Sequence, residues 1–279
     1  MDKELSKRVQ IMFADLNSQS AASSFPAPGA LSELLSKHVD LSTSTKSVPA
    51  TRKIRECFAT AAVEMWHRAV HSFLISASLT EASPIWASVA GYYSSHYSIR
   101  AFAHLFGVFQ LRKGRRIASL DGGGGYVLLE KKHADDREHK FYWKFVSEQL
   151  VDDPFFYPNL EDQVDGGHRN KANYSDHICR YPVFQVLNAE FLRNRVERIA
   201  TIRFSSVPVP RADPLHFPDI ANVQIVAYHR LVKFRRLLDE ALSGGNRFWR
   251  VHRNPSWCPD TMNFSVVDPE YAALYAGEE

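Results

Sequence analysis

The chain has 279 residues, 45% of them apolar and 12% aromatic, with a net charge of +3. This describes an ordinary globular protein with a core, built as one large domain or as a domain with sizeable decorations. The three cysteines, Cys57, Cys179 and Cys258, form no CxxC pair, which excludes a disulfide framework or a zinc ribbon and predicts a reducing, cytoplasmic setting. The small net charge does not by itself indicate nucleic acid, because a basic face must be local to matter.

Residues 2–17 place Leu5, Val9, Ile11, Met12, Phe13 and Leu16 at roughly helical spacing and lack the apolar stretch of a signal peptide. A Ser/Ala/Pro-rich linker follows at 18–28, then a short helix over Leu31–Leu41 and a Ser/Thr-rich break. From Thr51 to Leu79, Ile54, Phe58, Ala62, Met65, Trp66, Ala69 and Phe73 recur every three or four residues and predict a long helix. Thr80 or Ser83 caps the next helix, with Pro84 in its first turn. That helix runs to about Phe109, and the short connection makes the two helices antiparallel neighbours.

Residues 115–132 change register. Two short apolar runs flank Asp121 and four glycines, the composition of a β-hairpin or loop. A phosphate loop is excluded, since no Lys-Ser/Thr follows and no G-x-G-x-x-G precedes a helix. Helix returns over Glu138–Leu150, and a loop rich in proline and glycine leads to Arg169. A further helix is predicted over Phe184–Ile202, irregular chain over Ser205–Pro218, and a last strong helix over Asp219–Leu242 that Gly244 and Gly245 stop. The tail from Asn246 reads as an irregular strap. No window approaches twenty uninterrupted apolar residues, so no membrane span is predicted.

Two segments carry the chemistry. The first is Ala90, Gly91, Tyr92, Tyr93, Ser94, Ser95, His96, Tyr97, Ser98, Ile99, Arg100, Ala101 and Phe102; the second is Arg169, Asn170, Lys171, Ala172, Asn173 and Tyr174. The first resembles the second helix of HEPN-fold proteins, where a tyrosine pair precedes small and aromatic residues and then Arg-Ala-Leu. The second is similar to that family's later Arg-x-x-Ala-Asp-Tyr or Arg-Asn-x-x-x-His motif. The resemblance covers roughly 50–110 and 165–243. It implies a mostly α protein: an antiparallel helical bundle over 46–245 with a small β-hairpin inserted near 115–132. An N-terminal helical extension and linker at 1–45 and an irregular tail at 246–279 would flank it.

The resemblance also implies an RNA-directed protein, a metal-independent endoribonuclease acting as a toxin or antiviral defence effector. Two subunits would join their Arg/His pairs to assist attack of a 2′-hydroxyl on the adjacent phosphate. Arg169 matches the motif's arginine and would stabilise developing charge, and Asn170 matches the polar residue after it. Tyr174 stands where the histidine is expected, and the nearest downstream histidine is His177. Eight residues from Arg169, His177 would sit about 12 Å further along a continuous helix. Tyr174 or His177 would therefore have to substitute for the base. Arg100 and His104, with Arg115 and Arg116 from the basic run that begins at Arg112, are the expected RNA contacts. No cofactor or metal is expected: His67 and His71 have zinc-like spacing but no third ligand in view. The partners implied are RNA, with a second copy or another protein. The alternative reading is a non-catalytic helical module whose polar seam binds a protein, an RNA or a nucleotide.

Overall fold

The computed structural model describes residues 3–14, 16, 29–80, 83–131, 138–157, 220–242 and 245–253. Among them are seven α-helices and one four-stranded antiparallel sheet, so the chain is mostly helical. The helices are α1 (Lys3–Ala14), α2 (Ala30–Ser36), α3 (Arg52–Leu79), α4 (Pro84–Leu105), α5 (Glu138–Gln149), α6 (Ile220–Leu242) and α7 (Arg247–His252). The strands are β1 (Thr45–Pro49), β2 (Val108–Leu111), β3 (Arg116–Leu120) and β4 (Tyr126–Lys131), in the order β1-β4-β3-β2. No helix among the described residues is long and apolar enough to cross a membrane. The chain divides into two compact units. One comprises Met1–Trp66, Ile99–Val146 and Phe234–Arg253; the other comprises His67–Ser98, Ser147–Lys233 and Asn254–Glu279.

In the first unit the sheet alternates as a half-buried antiparallel sheet should. Arg116, Ala118 and Leu120 of β3 and Val127 and Leu129 of β4 are buried, while their neighbours are not. The expected hairpin is β3–β4, but it forms the middle of a larger sheet. β1 and β2 complete that sheet from segments read as a Ser/Thr break and as the end of a helix. Helix α4 stops at Leu105 because Gly107 takes φ +79 and packs its α-carbon against Leu120, where a Cβ would lie 2.8 Å from Leu120 Cβ. The Asp121 carboxylate organises the glycine turn by accepting from Gly123 N and Tyr126 N. Gly124, at φ +68, lets Ile11 of α1 pack where a Cβ would come within 2.6 Å.

The core of this unit centres on an aromatic cluster. Trp66 stacks on Phe234 at 6.0 Å and meets Trp249 edge-on at 5.6 Å, and Phe102 meets Phe234 edge-on at 5.4 Å. Helix α7 replaces the irregular strap expected over this part of the tail. Asn246 caps it by accepting from Trp249 N, and Asp239 accepts from Trp249 Nε1 at 2.7 Å and Arg253 Nη2 at 2.9 Å. Helix α1 is tied down by Gln10 to Ala241 O, by Asn246 to Phe13 O, and by Arg8 to Phe106 O.

The second unit packs segments of α3, α4 and α6. Ser76 Oγ donates to Ala87 O and Ser94 Oγ to Ala69 O, so α3 and α4 run antiparallel in close contact. Gly91 makes room for α6, since a Cβ there would lie 2.6 Å from Val223 Cγ1. Gln224 Nε2 sits within hydrogen-bond reach of Ser76 O, Ser76 Oγ and Thr80 Oγ1. A buried carboxamide placed this way satisfies itself on α3 and sets the register of α6.

Candidate functional site

Arg169, Asn170, Tyr174 and His177, together with the helix expected over 184–202, lie outside the described residues. The other four site residues lie in the first unit, and the structure separates them sharply.

His104, in the last turn of α4, is 1% exposed. Its Nδ1 lies 3.0 Å from Val108 O, an acceptor, which assigns the proton to Nδ1. Its ring packs against Phe109 at 5.2 Å and edge-on to Tyr142 at 5.9 Å. Burial, reinforced by the nearby Arg100 cation and opposed by the Val108 contact, pushes its pKa down to about 3. Its environment therefore holds it neutral near pH 7, and it is walled off from a phosphate. Arg100 places its guanidinium 5.6 Å from the centre of the Tyr142 ring.

Arg116 is 3% exposed and turned inward. Its guanidinium donates to the carbonyls of Asp40, Thr43 and Ser44, gathering the chain that leads into β1. His104 and Arg116, expected as RNA contacts, are both buried, with their donors on backbone carbonyls inside the fold. The run of basic residues in the sequence gave no hint of this, since only the fold distinguishes Arg116 from its neighbours.

Arg115 points the other way. It takes φ +48, a left-handed conformation uncommon for a residue with a side chain, and it stays exposed. Arg112 and Lys113 are exposed beside it on the tight turn between β2 and β3. Lys113 Nζ donates to Ser36 O at 3.0 Å, bringing the turn to the C-terminal end of α2, where exposed Lys37 follows. Lys37 is 3.4 Å from Glu33. The result is a local patch of four cations on one turn and one helix end. The role of Lys37 was not legible in the sequence, because it stands more than seventy residues from the turn it joins.

The three basic residues at 233, 235 and 236 of α6 are each engaged separately. Lys233 pairs with Asp153 and lies 5.7 Å from the centre of the Phe156 ring, Arg235 is buried 3.8 Å from Asp239, and Arg236 pairs with Glu240 at 2.7 Å. Nothing in the sequence pattern singles out His229 and Arg230. His229 stacks on Phe155 at 4.2 Å and its pKa is pushed down to about 4 by burial. Arg230 Nε donates to Phe155 O at 2.8 Å. His96, on α4, is buried and stacked on Tyr92 at 6.2 Å. Trp86 and Tyr93 of the same helix are 61% and 39% exposed. Among the described residues no three His, Cys, Asp or Glu side chains gather into a group able to hold a metal ion.

Comparison with protein-family models, with curated proteins and with solved structures found no match.

Proposed function

We propose that this chain is an RNA-directed helical protein of the HEPN kind, which meets the phosphate backbone through the basic turn between β2 and β3. The observation that carries the reading is the exposure of Arg112, Lys113 and Arg115 on one turn, with Lys37 at the adjoining helix end. Four cations held together on one turn and one helix end form a local positive field that a modest net charge conceals. In this reading Arg169 stabilises charge on the phosphate, and Tyr174 or His177 takes the place of the base.

The test is fluorescence anisotropy with a labelled single-stranded RNA, followed by cleavage assays in EDTA. Replacing Arg112, Lys113 and Arg115 together by alanine should weaken binding about tenfold or more. It should also lower the salt slope by roughly 2, at about 0.7 per phosphate contact. Cleavage that Arg169→Ala abolishes supports the nuclease, and His177→Ala then identifies the base. RNA binding that the triple variant leaves unchanged would sink the reading.

The second reading, a non-catalytic module, draws support from the inward placement of His104 and Arg116 and from the tyrosine at the histidine position. It expects RNA to remain intact at high protein concentration.

A further inference from the structure

The two edges of the sheet are finished differently. At the β2 edge the outward backbone groups are met by side chains: Gln110 N donates to Tyr142 Oη at 2.9 Å, and Val108 O lies against His104 Nδ1 at 3.0 Å. At the β1 edge, Lys131 N donates to Ser44 O and Ala50 N donates to Gly125 O. With the register of Lys46 on Leu129 and Val48 on Val127, these bonds fix the alternation. Ser44, Lys46, Val48 and Ala50 turn their backbone groups to β4. Thr45 and Ser47, both exposed, turn theirs away from the sheet. Pro49 has no N–H, and its carbonyl accepts from Thr51 N. Among the described residues, the open edge is therefore Thr45–Ser47.

We infer that this edge accepts an extended acidic peptide as a fifth, antiparallel strand. Thr45 and Ser47 would exchange backbone hydrogen bonds with it, and a carboxylate would lie opposite Lys46. Charge selects the occupant. If a second copy of the chain paired through the same two residues, symmetry would set Lys46 directly opposite Lys46, a destabilising like-charge pair. A partner with Asp or Glu at that position turns the same contact favourable. Exposed Lys131, across from Ser44, adds a second cation at the edge. Asp40, whose carboxyl senses Lys46, accepts from Ser42 N at 2.9 Å and Ser42 Oγ at 2.6 Å. Glu130 is paired with Thr45, so it falls on the opposite face of the sheet from Lys46. Pro49 ends the docking surface and keeps the added strand short.

The test uses the full chain and a labelled, end-capped heptapeptide alternating valine and glutamate, with its valine–lysine counterpart as control. The glutamate peptide should bind saturably, at least about tenfold tighter than the lysine peptide at low salt, and Lys46→Glu should reverse the preference. Ser47→Pro removes an outward N–H that the sheet does not use, and should weaken binding about tenfold or more with an unchanged far-ultraviolet circular dichroism spectrum. Should that variant lose its fold, a peptide with N-methylated backbone amides must show the same loss on the unmodified protein. Equal binding of both peptides would overturn the proposal because charge would then select nothing, and full binding by Ser47→Pro and the N-methylated peptide would overturn it in favour of simple charge attraction. Absence of binding, or sedimentation showing that β1 instead joins two copies, would overturn it as well.

Discussion

Among the described residues, one edge of the sheet is closed and the other is open. The β2 edge follows α4 immediately, and α5 follows the sheet. Both helices bring polar side chains, His104 and Tyr142, onto the outward backbone groups of Val108 and Gln110. The β1 edge is held from within: Arg116 gathers the three carbonyls leading into it, while Thr45, Lys46 and Ser47 stay exposed. An unpaired strand edge invites association, and this sheet manages its two edges by different means, cover on one side and a lysine and a proline on the other. The lesson is that a cationic side chain near a strand need not face solvent. Arg116 and Arg115 are adjacent, yet one is structural and the other belongs to the surface.

The difference between the two edges rests most heavily on Arg116. Arg116→Ala leaves carbonyls without their buried donor, and urea unfolding should report a loss of about 3 kcal/mol. A loss under about 1 kcal/mol would mean the entry to β1 does not depend on it. Acid comes next. His104 and His229 have folded pKa values of about 3 and about 4, below the unfolded value near 6.5. As pH falls through 6.5 the unfolded chain takes up protons first, so stability is full above that pH and declines toward the folded values. At pH 5 each histidine should have cost about 2 kcal/mol relative to pH 8. Measured against pH, His104→Leu should show that decline smaller by about 2 kcal/mol, and an undiminished decline would mean that His104 is not held neutral.

Tyr142→Phe sharpens the contrast more finely. It removes the oxygen that Gln110 N–H reaches, with an expected cost of about 1 kcal/mol and faster amide exchange confined to Gln110. At the open edge, Ser47→Pro should change stability by less than about 0.5 kcal/mol. If thermal or urea unfolding gave the two variants equal losses, the edges would not differ as described.

Much of the helical framework was legible along the chain because it rests on local rules. Apolar residues every three or four positions mark α3 and α6, and Asp121 with four glycines marks the turn between β3 and β4. Gly107 also carried its signal, since a glycine after Leu105 ends a helix, although the apolar residues beyond it read as more helix. β1 was not legible. Thr-Lys-Ser-Val-Pro has a single buried residue, Val48, and becomes a strand only because β4 offers it hydrogen bonds. The basic turn was visible as a run of charge, but not which of its members faces water.

The division follows from range. Periodicity, caps and glycine turns act within a few residues, so the long helices and the β3–β4 turn needed nothing beyond the chain. Whether Arg116 is buried, whether His104 is neutral, and which strand edge stays open depend on groups tens of residues away. Burial and dielectric are properties of the assembled fold, and only the packed structure decides them.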